Sequence, residues 1–343
     1  MSYRRLLTPI ICVTILMLGA CQESTPSITE SEEPKDMETS KPIENGEDQK
    51  EEILHLPQVN LQKGDEGDKV TALQHHIIQL GYPIETTGVY DEDTTWAITD
   101  FQLHHEALSV TGVYEEETRQ SIEHVIDKEQ AIEPGKHLAQ PTKQNNGDVP
   151  KVVENPYEIL SLVNKQHALP SDYIPDDLVI PNVRFPFTED LPQKQLRKIA
   201  ADALEELFAA GDEAGMDLFA LSGYRSYDRQ DAIFAANVDK HGEEVANTFS
   251  ARPGESEHQS GLTMDVTCPD VGYDLTTEFG ETKEGKWIKE HAGEFGFIVR
   301  YPEEKQDITE YQYEPWHLRY VGEKAAIEIM EKGITLEEYL GVK

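Results

Sequence analysis

The sequence predicts a protein of mixed helices and strands, in which a small unit of three helices precedes a larger unit of helices and strands. Two observations support this prediction. Between residues 61 and 122, apolar residues recur at the spacing of short helices around a duplicated motif. From about residue 196 onward, a long amphipathic helix is followed by short apolar or alternating runs that are typical of strands.

The first residues have the features of an export signal. Arg4 and Arg5 precede an apolar run, from Leu6 to Leu18, that is too short to predict a membrane span. The run leads into Gly19-Ala20-Cys21, which resembles the bacterial lipobox, whose cysteine receives lipid and becomes the mature first residue. We therefore expect a lipoprotein signal peptide over residues 1–20 and an anchor at Cys21, on the extracytoplasmic face of the cell membrane. The alternative is an ordinary cleaved signal followed by a chance cysteine.

The charge and the cysteine content limit the classes of partner and of cross-link. The formal net charge of -36 argues against nucleic acid as a partner, because both surfaces would be negative. Once the signal and the lipidated cysteine are set aside, Cys268 is the one cysteine left, so the mature chain is predicted to have no internal disulfide. Residues 21–55 are acidic and lack apolar periodicity, which predicts a solvated tether. Residues 127–152 are rich in Pro, Asn and Gly and predict a linker.

The segment between these two regions contains the duplicated motif. The residues from Thr87 to Thr94 recur as Thr111 to Thr118, each copy with a glycine turn and acidic residues at the start of a helix. An upstream helix is predicted to end at Gly81. Together with Leu80-Gly81-Tyr82 and Phe101-Gln102, the pattern resembles the peptidoglycan-binding domain of cell-wall hydrolases. The resemblance implies a three-helix wall-binding domain over residues 56–126. A helical spacer without a ligand is the alternative.

Two separated motifs supply the residues of a metal site. His258 lies in a loop before a predicted half-buried strand that carries Asp265 on its polar face. His317 follows Glu314-Pro315, where the proline excludes a helix and predicts a turn that enters a strand. Two imidazoles and one carboxylate are the ligands of a catalytic zinc site, with the fourth position left for water. We expect Glu314 to be the general base that takes the proton of this water.

The alternative is a structural zinc site with a fourth protein ligand. Cys268 belongs to the apolar alternation of the predicted strand, and His291 lies in a predicted helix that ends at Gly296. Neither position favours a ligand. The first unit contains two pairs of adjacent histidines on predicted helices: His75 and His76, and His104 and His105. Adjacent helical residues do not face each other, so these pairs do not predict a metal site either.

A third motif follows a short apolar run that predicts a buried strand. Arg225 lies just after the end of this strand, and Gln230 falls in the first turn of a predicted helix capped by Ser226 or Asp228. The end of a strand and the start of a helix therefore place Arg225 and Gln230 near each other, where ligand-binding groups are common.

The three motifs occur together in the order Ser222-Gly223-Tyr224-Arg225-Ser226, Ser256-Glu257-His258-Gln259-Ser260-Gly261 through Asp265, and Tyr313-Glu314-Pro315-Trp316-His317. In this order they resemble the VanY-type D-alanyl-D-alanine carboxypeptidases, a family of zinc peptidases, over residues 153–343. The resemblance implies an α+β fold with a small antiparallel sheet flanked by helices. It also implies zinc as the cofactor, peptidoglycan stem peptides as the substrate, and attack on the terminal peptide bond by a water activated on zinc.

The resemblance also assigns roles to individual residues. His258, Asp265 and His317 match the zinc ligands, Glu314 matches the catalytic base, and Arg225 matches the arginine that stabilises the transition state. Gln230 and Ser256 match positions that contact the substrate. Four functions remain open on the sequence: removal of D-Ala from a pentapeptide stem, L,D-carboxypeptidase action on a tetrapeptide stem, cleavage inside the stem, and a catalytically inert wall-binding lipoprotein.

Overall fold

The computed structural model describes residues 55–142 and 150–342, which all belong to one compact unit. The described chain begins with three helices, α1 (Asp68–Gln79), α2 (Glu92–Leu103) and α3 (Glu116–Asp127). Apolar side chains of all three helices pack into one core with Tyr82, Tyr90 and Tyr114 from the connecting segments. After α1 the chain turns at Gly81, whose φ is 98°. Glycine adopts a positive φ at little steric cost because it has no Cβ atom.

The duplicated motif folds twice into the same arrangement around a fully buried glutamine. Gln74 in α1 accepts a hydrogen bond of 2.9 Å from the N–H of Gly88, and Gln102 in α2 accepts one of 2.9 Å from the N–H of Gly112. The two glycines have φ angles of 71° and 72°. In each copy, the glutamine therefore provides partners for turn backbone groups that no helix or strand satisfies.

The second copy of the turn contacts the larger part of the molecule. The carbonyl of Thr111 accepts the N–H of Ile159 at 3.0 Å, and the carbonyl of Val110 accepts the guanidinium of Arg197 at 2.5 Å. The three-helix unit is thus joined to the residues that follow it by one backbone hydrogen bond and one from an arginine side chain, as well as by the chain itself.

Part of the segment that was predicted to be a linker also packs on the three helices. The buried carboxylate of Asp100 in α2 accepts the N–H groups of Gly135 at 2.9 Å and of Leu138 at 2.9 Å. The indole of Trp96 donates to the carbonyl of Leu138 at 2.8 Å. These bonds hold residues 135–138 against α2, so the chain between the two units follows the surface of the first for several residues.

The larger part of the molecule is built on a four-stranded antiparallel sheet. Its strands are β5 (Phe219–Ser222), β6 (Thr263–Thr267), β7 (Phe297–Tyr301) and β8 (Glu314–Tyr320), in the spatial order β5-β6-β8-β7. Before them come four strands of two residues each, which form two small ladders: β1 (Lys151–Val152) pairs with β2 (His167–Ala168), and β3 (Leu178–Val179) pairs with β4 (Leu196–Arg197).

Helices surround this sheet, and one of its faces forms the main core. The helices are α4 (Lys198–Glu213), α5 (Tyr227–His241), α6 (Glu243–Phe249), α7 (Lys283–His291), α8 (Gln306–Thr309), α9 (Glu323–Lys332) and α10 (Leu336–Tyr339). Apolar residues of α4, α7 and α9 pack on Met264 and Val266 of β6 and on Leu318 of β8. The predicted fold class, α+β with a small antiparallel sheet flanked by helices after a three-helix unit, is confirmed.

The strand β6 differs from the prediction in one respect. Its alternating sequence predicts a strand with one solvated face, but all five of its residues are buried. The side of the sheet that carries Asp265 is covered by a 3₁₀ helix, Glu257–Ser260, whose residues are also buried. Alternation reports which residues are polar, and the covering segment decides whether the polar face meets water.

Several predictions concern residues outside the described part of the chain. These are the signal peptide over residues 1–20, the lipidation site Cys21 and nearly all of the acidic tether. Among the described residues, no helix combines the length and the apolar character that a bilayer-crossing segment needs.

Candidate metal centre

The register of the sheet brings the first two metal-binding residues together. β6 and β8 are antiparallel neighbours, and Asp265 lies directly opposite His317. Directly paired residues point to the same face of a sheet, with Cβ atoms about 4.5–5.5 Å apart. This face is opposite to the one that packs on the main core, because Met264, which precedes Asp265, and Leu318, which follows His317, belong to that core.

His258 reaches the same face from the 3₁₀ helix that precedes β6. The chain turns at Gly261, whose φ is 70° and whose added Cβ would lie 2.9 Å from the Cγ of Arg197. His258 Nδ1 lies 2.8 Å from the carbonyl oxygen of Gly223, at the end of β5. A carbonyl accepts only from a protonated nitrogen, so this contact leaves Nε2 of His258 as the atom available to a metal.

The three side chains form a buried cluster of metal-binding atoms. His258 Nε2 lies 3.4 Å from Asp265 Oδ2, His317 Nδ1 lies 3.1 Å from Asp265 Oδ1, and one such atom from each residue lies within 4.8 Å of the others. The Oδ1 atom of Asp265 is buried without a hydrogen-bond partner. Two nitrogens and a carboxylate that converge in this way fit a zinc ion, with a fourth position left open. The prediction that His258, Asp265 and His317 come together is confirmed.

The two residues weighed as a fourth ligand lie elsewhere. Cys268 is buried in the main core and belongs to the apolar side of β6. His291 lies at the end of α7, and its Nδ1 is 2.8 Å from a carboxylate oxygen of Glu294. Over residues 55–142 and 150–342, the cluster of His258, Asp265 and His317 is the one group of three metal-binding side chains so arranged.

The electrostatics of the cluster favour a cation. Burial would raise the pKa of Asp265, but the imidazoles of His258 and His317 hold that pKa below its ordinary value, so the carboxylate is charged. Burial lowers the pKa of His317, but the carboxylates of Asp265 and Glu257 together raise it to about 9. A metal ion competes for this proton, because a coordinating imidazole has to be neutral.

Glu314 lies beside the cluster, at the start of β8. Its Oε2 atom is 3.7 Å from His317 Nδ1, and the side chain is mostly buried. Burial raises the pKa of Glu314 to about 7, against the opposing effect of His317. A carboxyl group with a pKa near neutrality both accepts and releases a proton at neutral pH, which is the property a general base needs.

Arg225 and Gln230 are brought together as the strand-to-helix geometry predicts. Arg225 Nη1 donates to Gln230 Oε1 at 2.9 Å, and Gln230 Nε2 donates to the carbonyl of Ala251 at 2.6 Å. Of the two predicted caps, Ser226 and Asp228, it is Ser226 that caps α5, by accepting the N–H of Arg229. Both ends of the Gln230 amide are thus engaged within the protein, and its predicted contact with substrate stays a prediction. Ser256 directly precedes the 3₁₀ helix that carries His258 and is 6% exposed.

The charged residues behind His317 were not predicted from the sequence. The carboxylate of Glu257 is fully buried and lies 3.4 Å from His317 Nε2. It is paired with the guanidinium groups of Arg300 and Arg319, which are also fully buried. The position of Arg319 could have been predicted. Residues two apart on a strand share a face, and Arg319 follows His317 by two, so both side chains are expected on the same face of β8.

A buried cluster of two histidines and one aspartate, with a carboxylate of raised pKa and an arginine beside it, defines a metal-dependent hydrolase. The family model for VanY D-alanyl-D-alanine carboxypeptidase matches residues 193–323, and the model described as "Putative peptidoglycan binding domain" matches residues 66–122. The chain belongs to the VanY family of metallocarboxypeptidases and carries a peptidoglycan-binding domain before the catalytic one.

Individual relatives agree with this membership. The chain is 53% identical to "Putative carboxypeptidase YodJ" of Bacillus subtilis over 189 residues, which are 55% of this chain and 69% of that protein. It is 38% identical to a D-alanyl-D-alanine carboxypeptidase of Enterococcus faecium over 42% of this chain and 44% of the relative. The solved structure of the LdcB LD-carboxypeptidase matches with a TM-score of 0.56 and 51% identity, over 59% of this chain and 93% of the LdcB chain.

Proposed function

We propose that this protein is a zinc-dependent carboxypeptidase that removes the terminal D-alanine from peptidoglycan stem peptides, with D,D-carboxypeptidase action on the pentapeptide as the leading assignment. The observation that carries the proposal is the cluster of His258, Asp265 and His317 next to Glu314. The family's name and the E. faecium relative support the D,D assignment.

The residues around the metal position divide the chemistry among them. His258, Asp265 and His317 would hold a zinc ion, which would supply a Lewis acid for the scissile carbonyl and for a water molecule. Glu314 accepts a proton from the attacking water and passes it to the leaving amine, a role supported by its raised pKa. Arg225 donates hydrogen bonds to the carbonyl oxygen as this atom gains negative charge. Gln230 holds the guanidinium of Arg225 through the 2.9 Å contact.

L,D-carboxypeptidase action is the second candidate, and the LdcB structure favours it because 51% identity extends over 93% of the LdcB chain. The two reactions release the same D-alanine. They differ in the residue on the other side of the scissile bond, which is D-configured in the pentapeptide and L-configured in the tetrapeptide. Specificity therefore depends on the shape of the site next to Glu314 and not on the metal ligands.

The test uses purified protein with tri-, tetra- and pentapeptide muropeptides, in zinc and in chelator, with products identified by mass. Chelator-sensitive loss of one alanine from the pentapeptide supports D,D action, and trimming of the tetrapeptide alone assigns L,D action. Glu314→Gln is the matched control: it is expected to retain zinc and to lower the rate by about 10²- to 10⁴-fold, the usual contribution of general acid–base catalysis. A zinc-loaded, folded protein that cleaves none of these substrates contradicts the proposal and favours the inert wall-binding protein.

We also propose that the catalytic domain works at the wall from a membrane anchor at Cys21. The resemblance of Leu18-Gly19-Ala20-Cys21 to a lipobox supports this, and the peptidoglycan-binding domain provides a second attachment that raises the effective concentration of substrate. Labelled palmitate is expected to be incorporated into the wild-type protein and not into Cys21→Ala. Equal labelling of both proteins would contradict the anchor.

A further inference from the structure

Four fully buried charged groups lie behind the metal centre, on the side of His317 that faces away from Asp265. Glu257 is paired with Arg300 and Arg319, and Arg300 is paired in turn with Glu337 of α10. The side chains of all four residues have 0% exposure. Burying charges is costly unless their partners are well placed, so this arrangement calls for an explanation.

The two oxygens of Glu257 have different partners. Oε1 accepts hydrogen bonds from Arg300 Nε at 2.7 Å and from Arg319 Nη1 at 2.8 Å. Oε2 lies 3.4 Å from His317 Nε2. The two arginines thus fix the carboxylate by one oxygen and leave the other oxygen directed at the imidazole.

The contact determines which nitrogen of His317 is available to a metal. A carboxylate oxygen accepts a hydrogen bond and cannot donate one, so in the neutral imidazole that binds a metal Nε2 keeps its proton and Nδ1 is the nitrogen with the lone pair. Nδ1 is the atom that faces Asp265, at 3.1 Å. His258 is oriented in the opposite sense, because its Nδ1 contacts the Gly223 carbonyl and its Nε2 faces Asp265.

We infer that Glu257 is a positioning residue for the metal ligand His317: it accepts the Nε2 proton, fixes the tautomer that presents Nδ1, and holds the ring in line with Asp265 and His258. The inference rests on the metal centre that the proposed function uses, but not on the choice between D,D and L,D action. Outer-sphere carboxylates of this kind are worth about 10- to 100-fold in metal affinity.

Glu337 offers a matched control within the same network. It accepts two hydrogen bonds from Arg300, at 2.9 Å from Nη1 and 2.6 Å from Nη2, and it also accepts one from Asn164 at 3.2 Å. It carries the same charge as Glu257 and shares Arg300 with it, but its other hydrogen bond is with Asn164 and not with His317. Replacing either glutamate by glutamine removes one buried negative charge, and only Glu257→Gln changes the group behind His317.

The experiment measures the zinc dissociation constant of the full protein by competition with a chromophoric chelator, and the visible spectrum of the cobalt-substituted protein. Glu257→Gln is expected to weaken zinc binding by about 10- to 100-fold and to alter the cobalt spectrum, while Glu337→Gln leaves both nearly unchanged. Glu257→Asp keeps the charge between the arginines but withdraws it from His317, so it is expected to fold and still to bind zinc more weakly. This variant carries the test if Glu257→Gln does not fold.

Two results overturn the inference: a folded Glu257→Gln with wild-type zinc affinity, or equal weakening by Glu257→Gln and Glu337→Gln, which would show a general loosening of the network. A wild-type protein that binds no zinc overturns the metal centre itself, and with it this inference. Wild-type zinc binding without cleavage of any muropeptide leaves the positioning role standing and contradicts only the proposed reaction.

Discussion

Replacement of Gln102 by leucine is expected to destabilise the protein strongly, although leucine fills a similar volume. Gln102 is fully buried. Its Oε1 accepts the N–H groups of Thr111 and Gly112, each at 2.9 Å, and its Nε2 donates to the carbonyl of Val113 at 2.9 Å. Leucine offers none of these bonds, so three backbone groups lose this partner.

The expected loss of folding stability depends on whether water can reach those three backbone groups. Thr111 and Gly112 are buried where the turn contacts the larger part of the molecule through the Ile159 hydrogen bond. A buried backbone group without a partner costs about 1–3 kcal/mol, so three groups predict a loss of about 3–6 kcal/mol once partial access of water to Val113 is allowed for. This is a large part of the roughly 5–15 kcal/mol by which folded proteins are stable.

Gln74→Leu is the matched control, because Gln74 occupies the equivalent position in the first copy of the motif. Its Oε1 accepts the N–H of Gly88 and its Nε2 donates to the carbonyl of Val89, each at 2.9 Å. Here the turn is open, with Val89 36% exposed, so water can replace the lost bonds. The expected cost is about 1–2 kcal/mol.

Scanning calorimetry of the wild type and the two variants gives the comparison. An unfolding entropy of about 2.1 cal/mol/K per residue gives about 1.5 °C per kcal/mol for a chain of this length, so Gln102→Leu is expected to lower the melting temperature by at least about 4 °C, and Gln74→Leu by distinctly less. Equal shifts in melting temperature, or a larger shift for Gln74→Leu, would show that the burial of the second turn does not determine the loss of stability.

Three further outcomes are expected. His258→Ala should abolish stoichiometric zinc binding, as measured by metal analysis after dialysis, since two ligands do not form a zinc site; unchanged zinc content would remove His258 from the ligand set. Arg225→Lys should lower kcat on muropeptides more than it raises KM, because an ammonium cannot reproduce the paired donors of a guanidinium in the transition state; a change in KM alone would assign Arg225 to ground-state binding. Gly112→Ala should destabilise the fold by about 1–3 kcal/mol in a urea titration, since φ is 72° and the added Cβ would lie 3.0 Å from the Cβ of Glu158; a neutral effect would show that the turn can shift.

The residues of the metal centre were predictable because their chemistry is local to short motifs. Few types of side chain bind zinc. The local sequence also indicates the backbone conformation around each ligand: a glycine-containing loop before His258, an alternating run around Asp265, and a proline before His317. Pro315 alone was enough to exclude a helical ligand pair, and the structure has β8 begin at Glu314. The cap at Ser226 and the turn after α1 at Gly81 were predictable for the same reason.

The surroundings of the centre were less predictable. Glu257 stands between Ser256 and His258 in the sequence, where any acidic residue is most often solvated, and nothing local shows that two arginines will enclose it. The two polar residues Gln74 and Gln102 likewise gave no sign that each would serve a turn of its own. Partners of buried polar groups come from segments far apart in the chain, so only the folded structure identifies them.

The sequence by itself determined the turn at Gly81, the start of a helix close to Ser226, and the three residues that can bind a metal. The tertiary structure decided that Asp265 lies opposite His317, that His258 Nε2 and His317 Nδ1 are the nitrogens that face it, and that Glu257 lies behind His317. The physical reason is the range of the interactions. Capping and periodicity act within a few residues, whereas strand register and the burial of charges depend on which distant segments pack together.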